Sequence, residues 1–446
     1  MKIVIAGAGA VGFHLAELLC RERQELTLID TDSEVLAHAD RHLDVLTILG
    51  DAASVDILEK ADINNTRLFI AVTASEKTNL LCAILAKRLG AHRTITRVSN
   101  IEYLERENKE RFRELGVDVL ISPQQLAAQE IERLLQRASF TDLFEFENGA
   151  ISVVGFTVEE DSPLVGQTIE QMAHRNEDFI FRAIALLRDQ TTIVPDGDTR
   201  IEACDHLYLS TEDRSLEAAT RFAGKSQKPI KKVMIIGGTP LALRTAQRIE
   251  RDYKVSIVLE DSDRCELFVQ QLESALVLQA DPSNIDVLRS EALGQMDAFL
   301  ALTPNSETNI VTCLLAKEEG VQKTIALVEN VNYTHISQNI GIDTIINQKL
   351  VAANNIFRFV RQGKVKAVVS LHGVDAEIIE FELQKNNRLT ANPIRDLHLP
   401  EQCIVAGVVR GEQSIVPTGK TQFQLGDKVI VLALPEAIPT VEKLFR

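Results

Sequence analysis

The stretch Lys2-Ile-Val-Ile-Ala-Gly-Ala-Gly-Ala-Val-Gly12 reads as a buried strand running into a glycine-punctuated turn, with a helix following at once. Ile3, Val4 and Ile5 form a short continuous apolar run, as expected of a parallel strand covered on both faces. Gly7, Gly9 and Gly12 fall in G-x-G-x-x-G spacing, with Ala8, Ala10 and Val11 between them. The three glycines do different things. Gly7 makes the tight turn, Gly9 leaves no side chain between backbone and a pyrophosphate, and Gly12 lets helix and strand approach closely. The pyrophosphate would rest on free N–H groups at the positive end of a helix over Ala10–Arg23.

Glycines also mark ordinary strand-to-helix turns, so the residues further out decide. A second strand, Leu26–Ile29, ends in Asp30, about 18 residues beyond Gly12, where an acid would accept both ribose hydroxyls. An acid there repels a 2′-phosphate, which favours NAD over NADP. In the plainer alternative Asp30 only caps a strand and the glycines only pack.

A helix is expected over Ser33–Leu43, then a strand Val45–Leu49 ending in Gly50-Asp51-Ala52. Asp51 at this edge is either an acceptor for an adenine amino group or the N-cap of a helix Ala53–Lys60. The strand Leu68–Val72 delivers Thr73 to the same edge, with Ala74-Ser75-Glu76-Lys77-Thr78-Asn79 opening another helix. Carboxyl ends of parallel strands are where such sheets bind ligands. Strand Thr94–Val98 carries Arg97, and a helix near Glu102–Leu115 leads to strand Val117–Ile121. Six strands alternating with helices make a complete doubly wound α/β domain, set at residues 1–139. Pro123 then opens a helix Gln124–Arg137 with Leu126, Ala127, Ile131, Leu134 and Leu135 on one face. With no strand left to follow, it crosses to a partner domain or, in the bland reading, lies on the surface.

Residues 140–222 read as a small α+β domain: β-type runs Leu143–Phe146, Ile151–Thr157, Ala183–Leu187 and His206–Leu209, one helix after Gly166, and a turn over residues 193–199. His174 and His206 read as surface residues, with no carboxylate at an obvious orienting position. After a polar linker over 223–229 the chain begins again. Lys232-Val-Met-Ile-Ile-Gly-Gly238 repeats the opening strand, and an offset of 230 pairs Gly7 with Gly237, Asp51 with Asp281, Thr73 with Thr303, Asn79 with Asn309 and Tyr103 with Tyr333. A deletion then shifts the offset, pairing Gly116-Val-Asp118 with Gly341-Ile-Asp343, and Ile193-Val194-Pro195 recurs as Ile415-Val416-Pro417 and Asp205 as Asp427. The chain is a tandem duplication: nucleotide-binding domain 1–139, small domain 140–222, then 231–362 and 363–446.

The second copy is altered at its turn. Gly9 becomes Thr239, followed by Pro240, which puts a side chain at the close-approach position and removes an N–H. Arg97 becomes Leu327, while Glu260 stands in for Asp30. The second site is expected to be weak, empty or adapted to another ligand.

Net charge is −16 and no basic run would track phosphates, which disfavours nucleic acid and anionic lipid surfaces. A core strand by residue 3 leaves no room for a signal peptide, and no run of about 18 apolar residues could span a bilayer. A soluble chain is expected. Six scattered cysteines, without C-x-x-C pairs or metal-ligand spacing, suit buried thiols in a reducing cytosol.

With this order established, the chain resembles, over nearly its whole length, the TrkA family, the cytosolic NAD-binding component of Trk potassium uptake, built of two regulator-of-potassium-conductance (RCK) halves. The motifs that carry the resemblance are residues 3–12, Leu28-Ile-Asp30, Gly50-Asp51, Ala71-Val-Thr73 with Glu76 and Asn79, Arg97, and Leu120-Ile-Ser-Pro-Gln-Gln125. It implies that Gly7, Gly9, Gly12, Asp30, Asp51 and Thr73 contact NAD or NADH, with ATP or ADP as a second class of ligand, and that Arg97 reaches phosphate. Ala8, Ala10, Val11, Ala52, Ala74, Glu76 and Asn79 complete the candidate cofactor site, and Glu260, in the place of Asp30, leaves ribose recognition possible in the second half. It implies further a homotetrameric ring under a membrane-embedded Trk-type potassium transporter, peripheral on the cytosolic face of the inner membrane, with no turnover of its own. Ser99 departs from the pattern, since family members often carry another arginine after the one matched by Arg97. Two other readings stand beside this one. An NAD-dependent oxidoreductase needs a proton donor or acceptor by the reacting carbon, and no His or Lys–Tyr pair suggests itself. A gating subunit of another cation channel would carry the same domains.

Overall fold

The computed structural model describes residues 1–21, 24–137, 140–147, 149–176, 178–189, 191–224, 229–329, 341–361, 365–370, 376–385 and 388–445. Arg23 at the foreseen end of the first helix, most of the linker (225–228), Tyr333 and the domain edges at 139, 362 and 363 lie outside them.

The first parallel sheet is built from β1 (Lys2–Ala6), α1 (Ala10–Arg21), β2 (Glu25–Asp30), α2 (Ser33–His42), β3 (Leu46–Leu49), α3 (Val55–Lys60), β4 (Leu68–Ala71), α4 (Glu76–Arg88), β5 (Arg93–Arg97), α5 (Arg106–Glu114), β6 (Val119–Ile121) and α6 (Pro123–Gln136). Its strands run in the order β3-β2-β1-β4-β5-β6. The order reverses between β1 and β4, which puts a crevice at their carboxyl ends. Ile3, Val4, Ile5 and Ala6 are fully buried, as a central parallel strand with helices on both faces requires. Short polar side chains set the helix starts: Asp32 accepts from the N–H groups of Glu34 and Val35, and Ser75 from that of Thr78. The helix foreseen from Glu102 is broken. A 3-10 turn, Ile101–Leu104, is capped by Asn100, and Glu105 is extended before α5 begins.

The first small domain contains β7 (Asp142–Phe146), β8 (Ile151–Thr157), α7 (Ile169–Arg175), β9 (Phe181–Arg188), β10 (Thr191–Ile193), β11 (His206–Thr211) and α8 (Leu216–Phe222). Its sheet runs β10-β9-β11-β8-β7 with antiparallel neighbours. Two elements go beyond the sequence reading: β10 is only three residues long, and α8 shows Leu216, Ala219, Thr220 and Ala223 buried at helical spacing. Ala223 therefore ends a packed helix rather than opening a linker.

The second half repeats both sheets. β12 (Lys232–Ile236), α9 (Pro240–Ile249), β13 (Lys254–Leu259), α10 (Ser262–Gln271), β14 (Leu276–Gln279), α11 (Ile285–Ser290), β15 (Ala298–Ala301), α12 (Ser306–Glu318), β16 (Lys323–Leu327), β17 (Thr344–Ile346) and α13 (Gln348–Arg361) give the order β14-β13-β12-β15-β16-β17. β18 (Val365–Ser370), β19 (Glu377–Glu382), α14 (Arg388–Ala391), β20 (Cys403–Arg410), β21 (Gln413–Ile415), β22 (Lys428–Ala433) and α15 (Ile438–Phe445) give β18-β19-β22-β20-β21.

The chain divides into two compact units, Met1–Gln129 with Asn347–Val360, and Glu130–Ile346 with Arg361–Arg446. Nearly all of α13 thus belongs to the first unit, where the Arg93 guanidinium lies over the Phe359 ring, 5.7 Å from its centroid. The far half of α6 belongs to the second unit, where Glu132 pairs with Arg248 of α9. The apolar face of α6 (Ala127, Ile131, Leu134 and Leu135) is buried, so it is not a surface helix. Within the second unit the two small sheets share a core of Phe146, Ile151, Val153 and Tyr208 with Ile378, Ala406, Ile430 and Leu432. Among the described residues no helix is long and apolar enough to cross a membrane.

Candidate functional site

The crevice between the ends of β1 and β4 explains two of the three glycines by packing and leaves the third open. Gly7 has φ +103°, and a Cβ there would lie 2.7 Å from the Thr73 nitrogen. A Cβ on Gly12 would lie 1.8 Å from the Gly7 carbonyl oxygen, so only glycine lets α1 start this close to the turn. A Cβ on Gly9 would meet nothing within 4 Å. Gly9 therefore guards empty space at the start of α1, whose first turn carries no acid. That is a cradle suited to a phosphate group. Ala8 and Val11 are buried, whereas Gly9 and Ala10 are exposed.

Asp30 is tied to this turn. Its Oδ2 accepts from the Ala8 N–H at 2.7 Å and its Oδ1 from the Asp32 N–H at 3.0 Å. An ionised carboxylate retains further lone pairs, so ribose hydroxyls fit here beside the backbone donors. Asp51 is exposed at the end of β3, and its Oδ1 accepts from the Ala53 N–H at 2.9 Å. It is not a helix N-cap: α3 begins at Val55, with Ser54 in the cap position. Ala52 is buried beside it.

Thr73 and Arg97 end the neighbouring strands, and the start of α4 ties them together. Asn79 is 1% exposed. Its Oδ1 accepts from the Thr73 N–H and hydroxyl at 2.9 and 2.7 Å, and its Nδ2 donates to the carbonyls of Thr73 and Arg97, each at 3.1 Å. Glu76 Oε2 accepts from the N–H groups of Ser99 and Asn100 at 2.8 and 2.9 Å. Ala74 is exposed, and Thr73, Glu76 and Arg97 are half-buried.

The second crevice keeps the frame and closes the hole. Gly237 has φ +107°, and Asn309 repeats the bonds of Asn79 to Thr303 and Leu327. Thr239 fills the position of Gly9. Its hydroxyl accepts from the Ala242 N–H at 3.2 Å and donates to the Leu302 carbonyl at 2.8 Å. Arg264 Nη1 donates to the Gly238 carbonyl at 2.6 Å. Glu260 is exposed past the end of β13, and among the described residues the bond from Ala8 to Asp30 has no counterpart between Gly238 and Glu260.

Comparison with known proteins then fixes the lineage. The TrkA-N domain model matches residues 3–123 and 233–348, and the TrkA-C domain model residues 153–224 and 378–446. The chain belongs to the TrkA family. The Trk system potassium uptake protein TrkA of Halomonas elongata is 30% identical over 451 residues, covering 100% of this chain and 99% of its own, and that of Haemophilus influenzae is 31% identical over 453 with the same coverage. Among solved structures, the GsuK RCK domain aligns over 100% of this chain and 94% of that one with a TM-score of 0.60 at 15% identity. The GsuK channel bound to NAD aligns over 99% and 78% with a TM-score of 0.60, also at 15% identity. These two likenesses speak to fold alone.

The small domain of this TrkA-family chain corrects two expectations. His206 is not a surface residue: it is buried, with Nε2 3.2 Å from Asp142 Oδ2 and 3.1 Å from the Thr141 hydroxyl, and Nδ1 3.1 Å from the Thr157 hydroxyl. Asp142 thus stands where no orienting carboxylate was foreseen, and it also accepts from the buried Tyr208 hydroxyl at 3.1 Å. Burial of this phenol pushes its pKa well above the ordinary value. Gly155 makes the room, since a Cβ there would lie 2.7 Å from the Tyr208 ring. His174 is exposed, as expected. Nor are all thiols buried: Cys204 is exposed in a positive-φ turn, whereas burial pushes the Cys82 thiol up to about 12. The recurring Asp205 and Asp427 prove to be latches. Arg188 holds Asp205 through two bonds of 2.8 and 2.7 Å, and Arg410 holds Asp427 through two of 2.8 Å.

Proposed function

We propose that this chain is the nucleotide-binding regulatory subunit of a Trk-type potassium-uptake system, taking NAD or NADH, and in competition ATP or ADP, in the crevice of its first half. The observation that carries this reading is the open cradle at Gly9, flanked by Asp30 at the ribose position and by Thr73 and Arg97 at the facing strand ends. Family membership supports the potassium partner. The relatives are named as Trk potassium-uptake proteins, and a GsuK channel with the same fold was solved bound to NAD. The ligand supplies adenine-nucleotide phosphates and ribose. The protein supplies N–H donors at the start of α1, an acceptor at Asp30 and a cation at Arg97.

The subunit regulates and does not turn substrate over. Its buried His206 and Asp142 bond to one another and to Thr141, Thr157 and Tyr208 within the small domain, a set that braces a sheet. Four copies form a ring on the cytosolic side of a membrane transporter. Nucleotide acts by binding one ring shape more tightly than another, since equal affinity would shift nothing. The domain limits 1–139, 140–222, 231–362 and 363–446 fit a nucleotide-binding and a small domain in each half.

Calorimetric titration of the purified chain with NADH, NAD, ATP and ADP tests this, alongside Gly9→Asp and the mass in solution. One site per chain on a tetramer, lost in the variant, is the expected result. Absence of any adenine-nucleotide binding would refute it.

A further inference from the structure

We propose that the start of α4 is a positioning device for Arg97: Asn79 and Glu76 grip the backbone at this residue's carbonyl and just beyond it, and so aim its cation at the nucleotide phosphates. The inference rests on the reading of the first crevice as a nucleotide site and adds residues that act there without touching the ligand.

Arg97 is the last residue of β5, and the Val98 N–H that follows it still donates to the Ile121 carbonyl at 2.8 Å. Its carbonyl is held by Asn79 Nδ2, and the two N–H groups that follow Val98, those of Ser99 and Asn100, converge on one oxygen of Glu76. On the other side Arg97 pairs with Ile121 of β6. With its carbonyl held by Asn79, its register held by β6 and the chain beyond it held by Glu76, the Cα–Cβ direction of Arg97 is restricted too. Asn79 has no capacity left for a ligand. Its two acceptor positions and both donors are engaged within the protein, so its place in the motif reflects geometry rather than contact.

The second half separates this role from simple fold maintenance. It keeps the Asn309 clamp, with Nδ2 at 2.9 and 2.8 Å from the carbonyls of Thr303 and Leu327, although its turn is filled by Thr239. It does not keep the carboxylate. Ser306 stands at the position of Glu76, and its hydroxyl accepts from the Glu329 N–H at 3.1 Å. The residue to be aimed is there Leu327. A charged grip occurs in the half that has an arginine, and a neutral one in the half that does not.

A double-mutant cycle, read by titration of the full-length chain with NADH, tests the proposal. Glu76→Ala and Arg97→Ala should each weaken binding about tenfold, and the double variant should be no weaker than Arg97→Ala alone, because one residue acts through the other. Ser306→Ala should leave NADH affinity at the wild-type value. Asn79→Ala and Asn309→Ala should lower the melting temperature alike, with affinity falling in the first only. Wild-type affinity in Glu76→Ala, or losses that multiply in the double variant, would overturn the proposal. A wild-type chain that takes up no NADH would instead sink the functional reading on which it stands.

Discussion

The two parallel sheets follow the same strand order, turn at a glycine of nearly equal φ, and end in the same asparagine clamp on a threonine. They part where a ligand would sit. In the first, the helix N-terminus faces empty space beside Gly9, and Asp30 is tied to the turn. In the second, the Thr239 hydroxyl takes the Ala242 N–H at the helix start, and Arg264 covers the turn by donating to the Gly238 carbonyl. Groups left without intrahelical partners at a helix start must be satisfied by side chain, water or ligand. One half uses its own residues and the other leaves the position open.

The largest effect should separate packing glycines from the open one. Gly12→Ala places a Cβ 1.8 Å from the Gly7 oxygen, and no rotamer change can relieve a clash with backbone. The chain should lose about 3 kcal/mol of stability, seen as an earlier denaturation midpoint at unchanged slope. A variant as stable as wild type would show that α1 can shift, and the account of the turn would fail.

Next comes the exchange of one half's residue into the other. Gly9→Thr copies position 239 into the first turn. It should retain stability, since threonine and glycine are comparable caps, while nucleotide affinity falls about a hundredfold, or about 2.7 kcal/mol. If titration showed binding intact, the difference at this one position would not explain why the halves differ.

How much of this is legible in the sequence follows from which signals are local. The run Ile3–Ala6 and the spacing of Gly7, Gly9 and Gly12 are local, and strand, turn and crevice stand where the pattern puts them. The crossing of α6 is legible as a helix with an apolar face and no strand to follow. The burial of His206 escapes the sequence because its partners are distant along the chain. Thr141 and Asp142 come from the start of β7, and Gly155, which makes the room, carries no chemical signal of its own. The N-cap reading of Asp51 fails because the loop runs two residues further before α3 starts. Asn79 falls among the candidate site residues, and the half that lost Gly9 and Arg97 kept the same clamp at Asn309.

Where the halves agree, substitutions should agree. The Arg188–Asp205 and Arg410–Asp427 latches have buried carboxylates, 1% and 0% exposed, and the same bidentate form. Asp205→Asn and Asp427→Asn should each cost about 2 kcal/mol, because an amide cannot answer both guanidinium donors and leaves a charged partner poorly matched. Chemical denaturation of the two variants checks this. A large loss in one and none in the other would mean that the small domains are not equivalent in energy despite their common topology.

The smallest effect tests the closed turn directly. Thr239→Ala removes the hydroxyl that accepts from the Ala242 N–H and donates to the Leu302 carbonyl, and should cost about 1 kcal/mol. Thr239→Gly should cost only about a few tenths, since glycine exposes the same N–H groups to water while fitting the cap backbone. Pro240 still withholds one N–H at the first helical position, and Arg264 still covers Gly238. Neither variant should therefore raise the number of nucleotides bound per chain. A second binding event in Thr239→Gly, seen as a doubled stoichiometry in the titration, would mean that this single side chain is all that keeps the second half from taking a nucleotide.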